Sequence, residues 1–411
     1  MAPGQRPFGV AITGLGLVTP AGIGIEQNWD RVWSGTSCAA RDDELRGCPV
    51  DFSCRVPGFD GAALIGGFES RQLARFVQMA IVAARQAVAD AGWDPRTWDG
   101  DRVGVVIGNS LGGMQSVEAG YAALAEAGPP KVSPFMVLMY MANMVAGQVA
   151  IDVGATGPSQ VTATACASGA TAVGVARDLL RQRDCDVVIA GGSEAALTPL
   201  AVTGLARMGA LSRRSADPAA ASRPFDADRD GFVPAEGAGL LVLERVADAR
   251  ARGARVHAVV RGYGASSDAF HPAAPEPGGT GIEQALRAAL QDAGLSGADV
   301  DHVNAHGTST PQGDLVEGRM LRRVLGDRAL VTSTKGVTGH PLAAAGAIEA
   351  AYTALAVERG CVPPTANLTR LEPELDLDVV HGAPRAASID VAVSTSMGFG
   401  GHNAALVLTA A

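Results

Sequence analysis

Lysine is nearly missing from this chain: of its 33 basic residues, all but Lys131 and Lys335 are arginine. A bias that strong spares a lysine where a compact ammonium does something a planar guanidinium cannot. Lys131 follows Pro129 and Pro130 in a loop, where solvent exposure accounts for it; Lys335, in VTSTKGVTGHPLAAAGAIEA, stands where a strand breaks into a Gly-rich turn and then an Ala-rich helix. Charged residues amount to only 18% against 47% apolar, which excludes a disordered or coiled-coil protein and leaves enough for a large core of two or three domain-sized units. Six cysteines (Cys38, Cys48, Cys54, Cys166, Cys185, Cys361) form no CxxC pair and no repeated spacing. That argues against a disulfide framework or zinc knuckle and for a reducing, cytoplasmic setting. Positive charge is in deficit too: a net charge of -9 argues against broad binding to nucleic acid or anionic membranes.

Long apolar runs are also lacking. In the most hydrophobic region, VSPFMVLMYMANMVAGQVAIDVG, Asn143, Gln148 and Asp152 interrupt before the ~20 apolar residues a membrane span needs. It reads as a helix buried on most sides, with Met136, Met139, Met141 and Met144 as core filler, as the wall of an acyl pocket or as a dimer seam. The first residues, MAPGQRPFGVAITGLG, enter a strand almost at once and lack the charged-then-apolar pattern of a signal peptide.

What the chain does contain is α/β patterning throughout. Strand-like runs such as GVAITGLGLV, RVGVVIGNS, DVVIAGGSEA and AALVLTA alternate with helix-like runs such as SGATAVGVARDLLRQR and GIEQALRAALQDAG. No Pro- or Ser-rich linker divides them, so any two domains share one core. The succession of strand, reactive loop and helix occurs in both halves, too diverged to be claimed as a repeat from letters alone.

Three strand-to-loop junctions each carry one reactive residue among small ones. In TATACASGA, Val161 to Ala165 reads as a strand and Ala167 to Leu180 as a helix, with Cys166 at the junction. A helix N-terminus aimed at that sulfur favours thiolate; the alternative is a buried structural cysteine. His306 sits in NAHGTSTPQGD and His340 in KGVTGHPLAAAG, whereas His257, His271, His302 and His381 have no supporting motif. Ligand spacing of the HExxH or CxxC kind is absent, so a metal site is a weak reading.

Together TACASG, NAHGTSTPQGD, STKGVTGH and the C-terminal GFGGHNAALVL, with SRPFDADRDGFVPAEGAGLLVLE from Ser222 to Glu244, resemble the β-ketoacyl-acyl carrier protein synthases. The likeness is to the elongating enzymes of fatty acid synthesis and to bacterial polyketide ketosynthases, and it runs from about Val10 to Leu408 in the same order. The resemblance implies a thiolase-type α/β fold with five layers, α-β-α-β-α, in two pseudo-duplicated halves, 1–255 with the nucleophile and 256–411 with the histidines. It implies Cys166 as nucleophile and His306 with His340 as the pair that stabilises the enolate formed when malonyl loses carbon dioxide. The N–H groups of Cys166 and Phe399 would form an oxyanion hole, Phe399 would gate the acyl chain, and Lys335 would hold Asp314 and Glu317 in a charge network. Leu111 and Met136 fall where the family lines its acyl pocket, Met136 from across a dimer interface.

Decarboxylation drives the condensation, so the resemblance implies no bound cofactor or metal. The substrates arrive on the phosphopantetheine arm of an acidic acyl carrier protein. Arg71, Arg75, Arg207, Arg213 and Arg214 are the candidate docking cations, with ordinary solvated surface as their alternative role. The partner is a second copy or a related chain-length subunit. Met397 and Gly336 depart from the family pattern, at the first aromatic of FGFGG and at the serine after the lysine. Three other classes stay in view: a thiolase or acetyl-primed initiating synthase, a noncatalytic chain-length subunit, which lacks the cysteine, and a Cys-His hydrolase.

Overall fold

The computed structural model describes residues 8–411. Five strands, β1 (Val10–Thr19), β2 (Val103–Gly108), β3 (Ser159–Thr162), β4 (Val187–Glu194) and β5 (Gly237–Arg245), lie in the spatial order β3-β2-β4-β5-β1. β2 runs parallel to β3 and β4, while β5 is antiparallel to β4 and β1. The second half repeats this step for step: β6 (Ala258–Ser267), β7 (His302–Asn304), β8 (Leu330–Thr332), β9 (Val391–Gly398) and β10 (His402–Thr409) take the order β8-β7-β9-β10-β6, with the same senses. The two first strands meet at the middle, antiparallel, with Val10 opposite Val260 and Ile12 opposite Ala258. The echo that the letters only hinted at is therefore a duplication of topology.

Helices cover and separate the sheets. α1 (Arg75–Asp90) and α3 (Met144–Val153) pack on the outside of the first sheet; α5 (Thr280–Ala293), backed by α6 (Pro311–Leu325), packs on the outside of the second. Between the sheets lie α4 (Ser168–Gln182) and α7 (Ala345–Arg359), which touch strands of both halves and each other. The result is the five-layer α-β-α-β-α order. A helix between two sheets has no solvent face, and α7 is buried continuously from Ala345 to Val357. Its Ala-rich sequence allows that crowding: a Cβ on Gly169 of α4 would lie 2.8 Å from the Ala347 nitrogen, and one on Gly346 2.8 Å from the Ala170 Cβ. Where space allows, Ile348, Tyr352 and Leu355 fill it, each contributing about 1.5–3 kcal/mol by burial.

Two sequence expectations need correction. The apolar stretch after Lys131 is not one buried helix: it breaks into a short turn of helix, Met136–Tyr140, and α3. The Gly113 N–H takes the Tyr140 carbonyl at 3.1 Å, so the chain leaves the helical path there. Val137 and Leu138 consequently stand 54% and 47% exposed. The strand expected over Val161 to Ala165 ends at Thr162, and a 3-10 turn, Ala165–Ala167, precedes α4, so Cys166 sits two residues before the helix. Among the described residues no helix is long and apolar enough to cross a membrane.

Candidate active site at the meeting of the two halves

Cys166 is presented by a strained turn. Ala165 just before it has φ 49°, a left-handed value that costs a non-glycine residue of order 1 kcal/mol or more. Ser168 braces the turn by accepting from the Thr164 N–H (2.9 Å) and donating to the Ala165 carbonyl (2.6 Å). Three other loops around the cavity also hold a left-handed non-glycine residue, Ala269, Ser309 and Leu342. Such strain persists only where surrounding structure enforces it, which is typical of functional loops.

The second half closes over this turn. β9 and β10 form a hairpin whose tip is Phe399 to Gly401, with Gly400 and Gly401 at φ 85° and 75°. Gly398 backs directly onto the cysteine, where a Cβ would stand 2.5 Å from the Thr164 carbonyl oxygen. The Phe399 N–H then points at the Cys166 sulfur. The rings of His306 and His340 meet edge-on with centroids 5.3 Å apart, and His340 stands edge-on to Phe232 at 5.1 Å. Cys166, both histidines and Phe399 line one cavity of about 480 Å³, with Phe232 and Thr308 in its wall.

Burial sets the ionisation. The Cys166 thiol is pushed up to about 12, by desolvation first; Lys335 and the Phe399 N–H pull the other way. The resting group is therefore a thiol, contrary to the thiolate expected from a helix N-terminus, because Cys166 lies outside α4 in an apolar cluster. Burial, then the nearby Lys335 charge, holds His306 and His340 well below the usual histidine range, so both rings are neutral at pH 7.

Lys335 is 1% exposed and donates to the His306 carbonyl at 2.6 Å, with its Nζ 3.4 Å from His306 Nδ1. An ammonium has no lone pair, so Nδ1 must accept and the single proton of neutral His306 resides on Nε2. His340 Nδ1 is buried without a partner. An orphaned acceptor is tolerated better than an orphaned N–H, which again places the proton on Nε2.

The carboxylate network differs from the expected one. Lys335 pairs with Glu349 on α7, not with Asp314 or Glu317. Glu317 accepts from the N–H groups of His306 (2.8 Å) and Gly307 (2.7 Å) and from Thr395 Oγ1 (2.6 Å). Asp314 accepts from Phe225 (2.8 Å) and Ser309 (3.0 Å), with Arg229 at 3.7 Å. These two acids start α6 and splint the His306 loop from behind through its main-chain N–H groups, while Lys335 holds the same loop by the His306 carbonyl. Glu349 was not singled out in the sequence, though it is the first acidic residue after Lys335, in an otherwise uncharged stretch. Burial raises both Asp314 and Glu349 to about 7.

Among the described residues no group of three His, Cys, Asp or Glu side chains is placed to hold a metal ion. Asn304 Oδ1, Glu349 Oε2, Ser394 Oγ and Ser396 Oγ are each buried without a hydrogen-bond partner.

Residues 8–249 match the family model for the β-ketoacyl synthase N-terminal domain, and residues 257–369 that for its C-terminal domain. The chain belongs to the β-ketoacyl synthase family. It is 43% identical over 407 residues to a 3-oxoacyl-[acyl-carrier-protein] synthase 2 of Synechocystis, covering 97% of both chains, and 43% identical over 403 residues to that of Staphylococcus aureus. Among solved structures, the ishigamide ketosynthase/chain length factor superposes with TM-score 0.92 at 32% identity, covering 99% of this chain and all of that one. A β-ketoacyl synthase from Burkholderia phymatum gives 0.92 at 33%, covering 98% and 100%. A type II polyketide acyl-carrier protein in complex with its ketosynthase bound to the hexaketide gives 0.91 at 32%, covering 99% and 100%.

The remaining sequence candidates of this β-ketoacyl synthase lie apart from the cysteine. Leu111 is 41% exposed and lines no part of the Cys166 cavity; its N–H donates to buried Glu194 at 3.2 Å. Met136 lines a second cavity of about 560 Å³ together with Arg71, Arg75 and Lys131. Arg71, Arg207 and Arg213 are exposed. Arg75 turns inward to buried Glu236, with two bonds of 2.7 Å, and Arg214 reaches the Asp228 carbonyl and Asp230, so neither is a free surface cation.

Proposed function

We propose that this chain is an elongating ketosynthase that condenses an acyl group, held on Cys166, with a malonyl unit delivered by acyl carrier protein, in fatty acid or polyketide synthesis. The observation that carries the reading is the single cavity lined by one cysteine and two imidazoles that burial holds neutral. In the first step the Cys166 sulfur attacks the acyl thioester, its proton leaves with the carrier thiol, and the tetrahedral oxyanion accepts from the N–H groups of Cys166 and Phe399. In the second, malonyl loses carbon dioxide and its enolate oxygen accepts from His306 and His340. Each such donor is worth ~3–4 kcal/mol in a preorganised site. The enolate carbon then attacks the acyl carbonyl and Cys166 leaves as thiolate, to be reprotonated. Lys335 acts as a positioning residue that sets the His306 tautomer.

The glycines at 398, 400 and 401 suit Phe399 to a gating movement, and the hairpin tip is short enough to swing alone. Two halves, 1–255 and 256–411, supply the cysteine and the histidines respectively; the repeated strand order favours this division. The acyl pocket is completed by a partner, a second copy or a related chain-length subunit. Support comes from the exposed apolar surface at Leu111, Tyr121, Val137, Leu138 and Tyr140, and from β3, which forms a sheet edge. Met136 then reaches the partner's pocket. Carrier docking falls to the exposed Arg71, Arg207 and Arg213, and no bound cofactor takes part in the chemistry.

The test uses acyl- and malonyl-carrier substrates: mass spectrometry should find the acyl group on Cys166, and malonyl carrier should then release carbon dioxide with formation of the 3-oxo product. Acylation of another residue, or none, would defeat the reading. Co-purification decides the partner between a homodimer and a pairing with a cysteine-less relative.

A further inference from the structure

A buried imidazole with ionisable partners lies remote from the cavity. His257 immediately precedes β6, its side chain is fully buried, and both ring nitrogens face carboxylates: Nε2 lies 2.8 Å from Asp90 Oδ2 and Nδ1 lies 2.8 Å from Glu358 Oε2. A neutral imidazole has one N–H, so in either tautomer a ring lone pair would confront a carboxylate lone pair at hydrogen-bond distance. With both carboxylates ionised, only the doubly protonated ring satisfies both contacts.

The connections of this ring are unusually far-reaching. Asp90 is the last residue of α1, in the outer layer, and also accepts from the Leu15 N–H of β1 at 2.9 Å. Glu358 lies in the last turn of α7, in the central layer, and receives Arg255 at 2.7 Å. The His257 N–H donates to the Ile12 carbonyl at 2.9 Å, beside the pairing of β1 with β6. Asp90 from α1, Glu358 from α7 and Arg255 from its own segment are the charges that face the cluster. With a cationic ring the four groups sum to zero; with a neutral ring the half-buried carboxylates carry one uncompensated negative charge around a buried imidazole.

We infer that His257 is a cationic clamp at the seam of the two halves, tying α1, α7 and the β1–β6 junction together while doubly protonated and releasing them when it loses a proton. Burial by itself opposes the charge, but the hydrogen bonds and charges of Asp90 and Glu358 outweigh it, so the ring's pKa stands above its ordinary value. A folded value above the unfolded one gives stability that is complete below the unfolded pKa, about 6.5, and is lost as pH rises through the folded pKa. The clamp stands apart from the condensation chemistry, and its test needs no substrate.

Thermal unfolding of the intact protein between pH 6 and 9 is the first measurement, with His257→Gln as comparison. The wild-type midpoint should fall by about 1–3 °C more than that of the variant across this range, because a half-buried carboxylate loses its partner as the ring loses its proton. The second is a titration of protein labelled at the histidine Cε1 carbon, with the His257 resonance assigned by its loss in the variant. It should titrate above the ordinary histidine range, and Asp90→Asn and Glu358→Gln should each move it down. A ring that titrates at or below about 6.5, or equal pH dependence with and without His257, overturns the clamp. Should His257→Gln fail to fold, the titration shifts in the two carboxylate variants decide, and their absence overturns it as well.

Discussion

Replacing Lys335 by Met removes an ammonium that is 1% exposed and leaves its length of apolar chain in place. Two separable effects follow. Glu349, 2% exposed in its side chain, loses its only charged partner, and breaking a buried pair in this way costs about 3–5 kcal/mol. The low end applies, about 3 kcal/mol, because the Glu349 carboxyl already stands at about 7 and can take up a proton once the cation is gone. The loss should therefore shrink on acidification, since a neutral carboxyl needs no counter-charge. The second effect is on chemistry. Without a donor 3.4 Å from Nδ1, His306 is free to move its proton to that atom, and the enolate loses one N–H. One such donor is worth a factor of about 10²–10³, so malonyl decarboxylation should fall by that amount. Acylation of Cys166 should fall by less than ~10-fold, because its oxyanion is served by main-chain N–H groups. Denaturant unfolding at pH 6 and 8 reads the first effect; carbon dioxide release and mass spectrometry of Cys166 read the two half-reactions. Lys335→Arg should behave like the Met variant, since the planar fork does not fit a closed site built around one nitrogen. Equal losses in both half-reactions, or wild-type decarboxylation by either variant, would refute the tautomer argument.

Cys166→Ala should abolish acyl transfer with little change in stability, whereas Cys166→Gln, whose amide imitates the acylated state, should retain or raise decarboxylation without condensation; both follow from product analysis. Because the thiol stands at about 12, its alkylation by iodoacetamide should climb roughly tenfold per pH unit from 7 to 9, and a plateau below pH 8 would reveal a resting thiolate. Reversing charge at Arg207 or Arg213 should raise KM for carrier-borne acyl groups but leave KM for a small acyl thioester unchanged; equal changes would remove both residues from carrier docking. Leu138→Glu, at an apolar site 47% exposed in the single chain, should halve the assembly mass seen by light scattering, and an intact dimer would place the interface elsewhere.

Much of this enzyme is legible before any coordinates. Cys166, His306 and His340 are conspicuous because each stands among small residues in a loop or turn that follows a strand, and lysine is so rare that Lys335 stands out too. The order of the motifs was enough to identify the family, and with it the layered fold. Cysteine spacing likewise pointed away from a disulfide scaffold, and all six cysteines are free. These properties are local: they depend on which residues adjoin in the chain, and a sequence displays adjacency directly.

The tertiary structure decided everything that depends on who is buried with whom. Lys335 meets Glu349 rather than Asp314 or Glu317 because α7 passes between the sheets, while α6 turns its two acids to the main chain of the His306 loop. The thiol of Cys166 is raised rather than lowered because the helix begins two residues later and the sulfur lies in apolar surroundings. The Met-rich stretch is half-buried, with Val137 and Leu138 exposed, because the helix breaks at Tyr140, whose carbonyl accepts from the Gly113 N–H. His257 had no motif at all, since its two carboxylates come from positions 167 and 101 residues away. Ionisation, pairing and exposure are set by desolvation and by contacts between distant segments, and a chain acquires those only when its layers close.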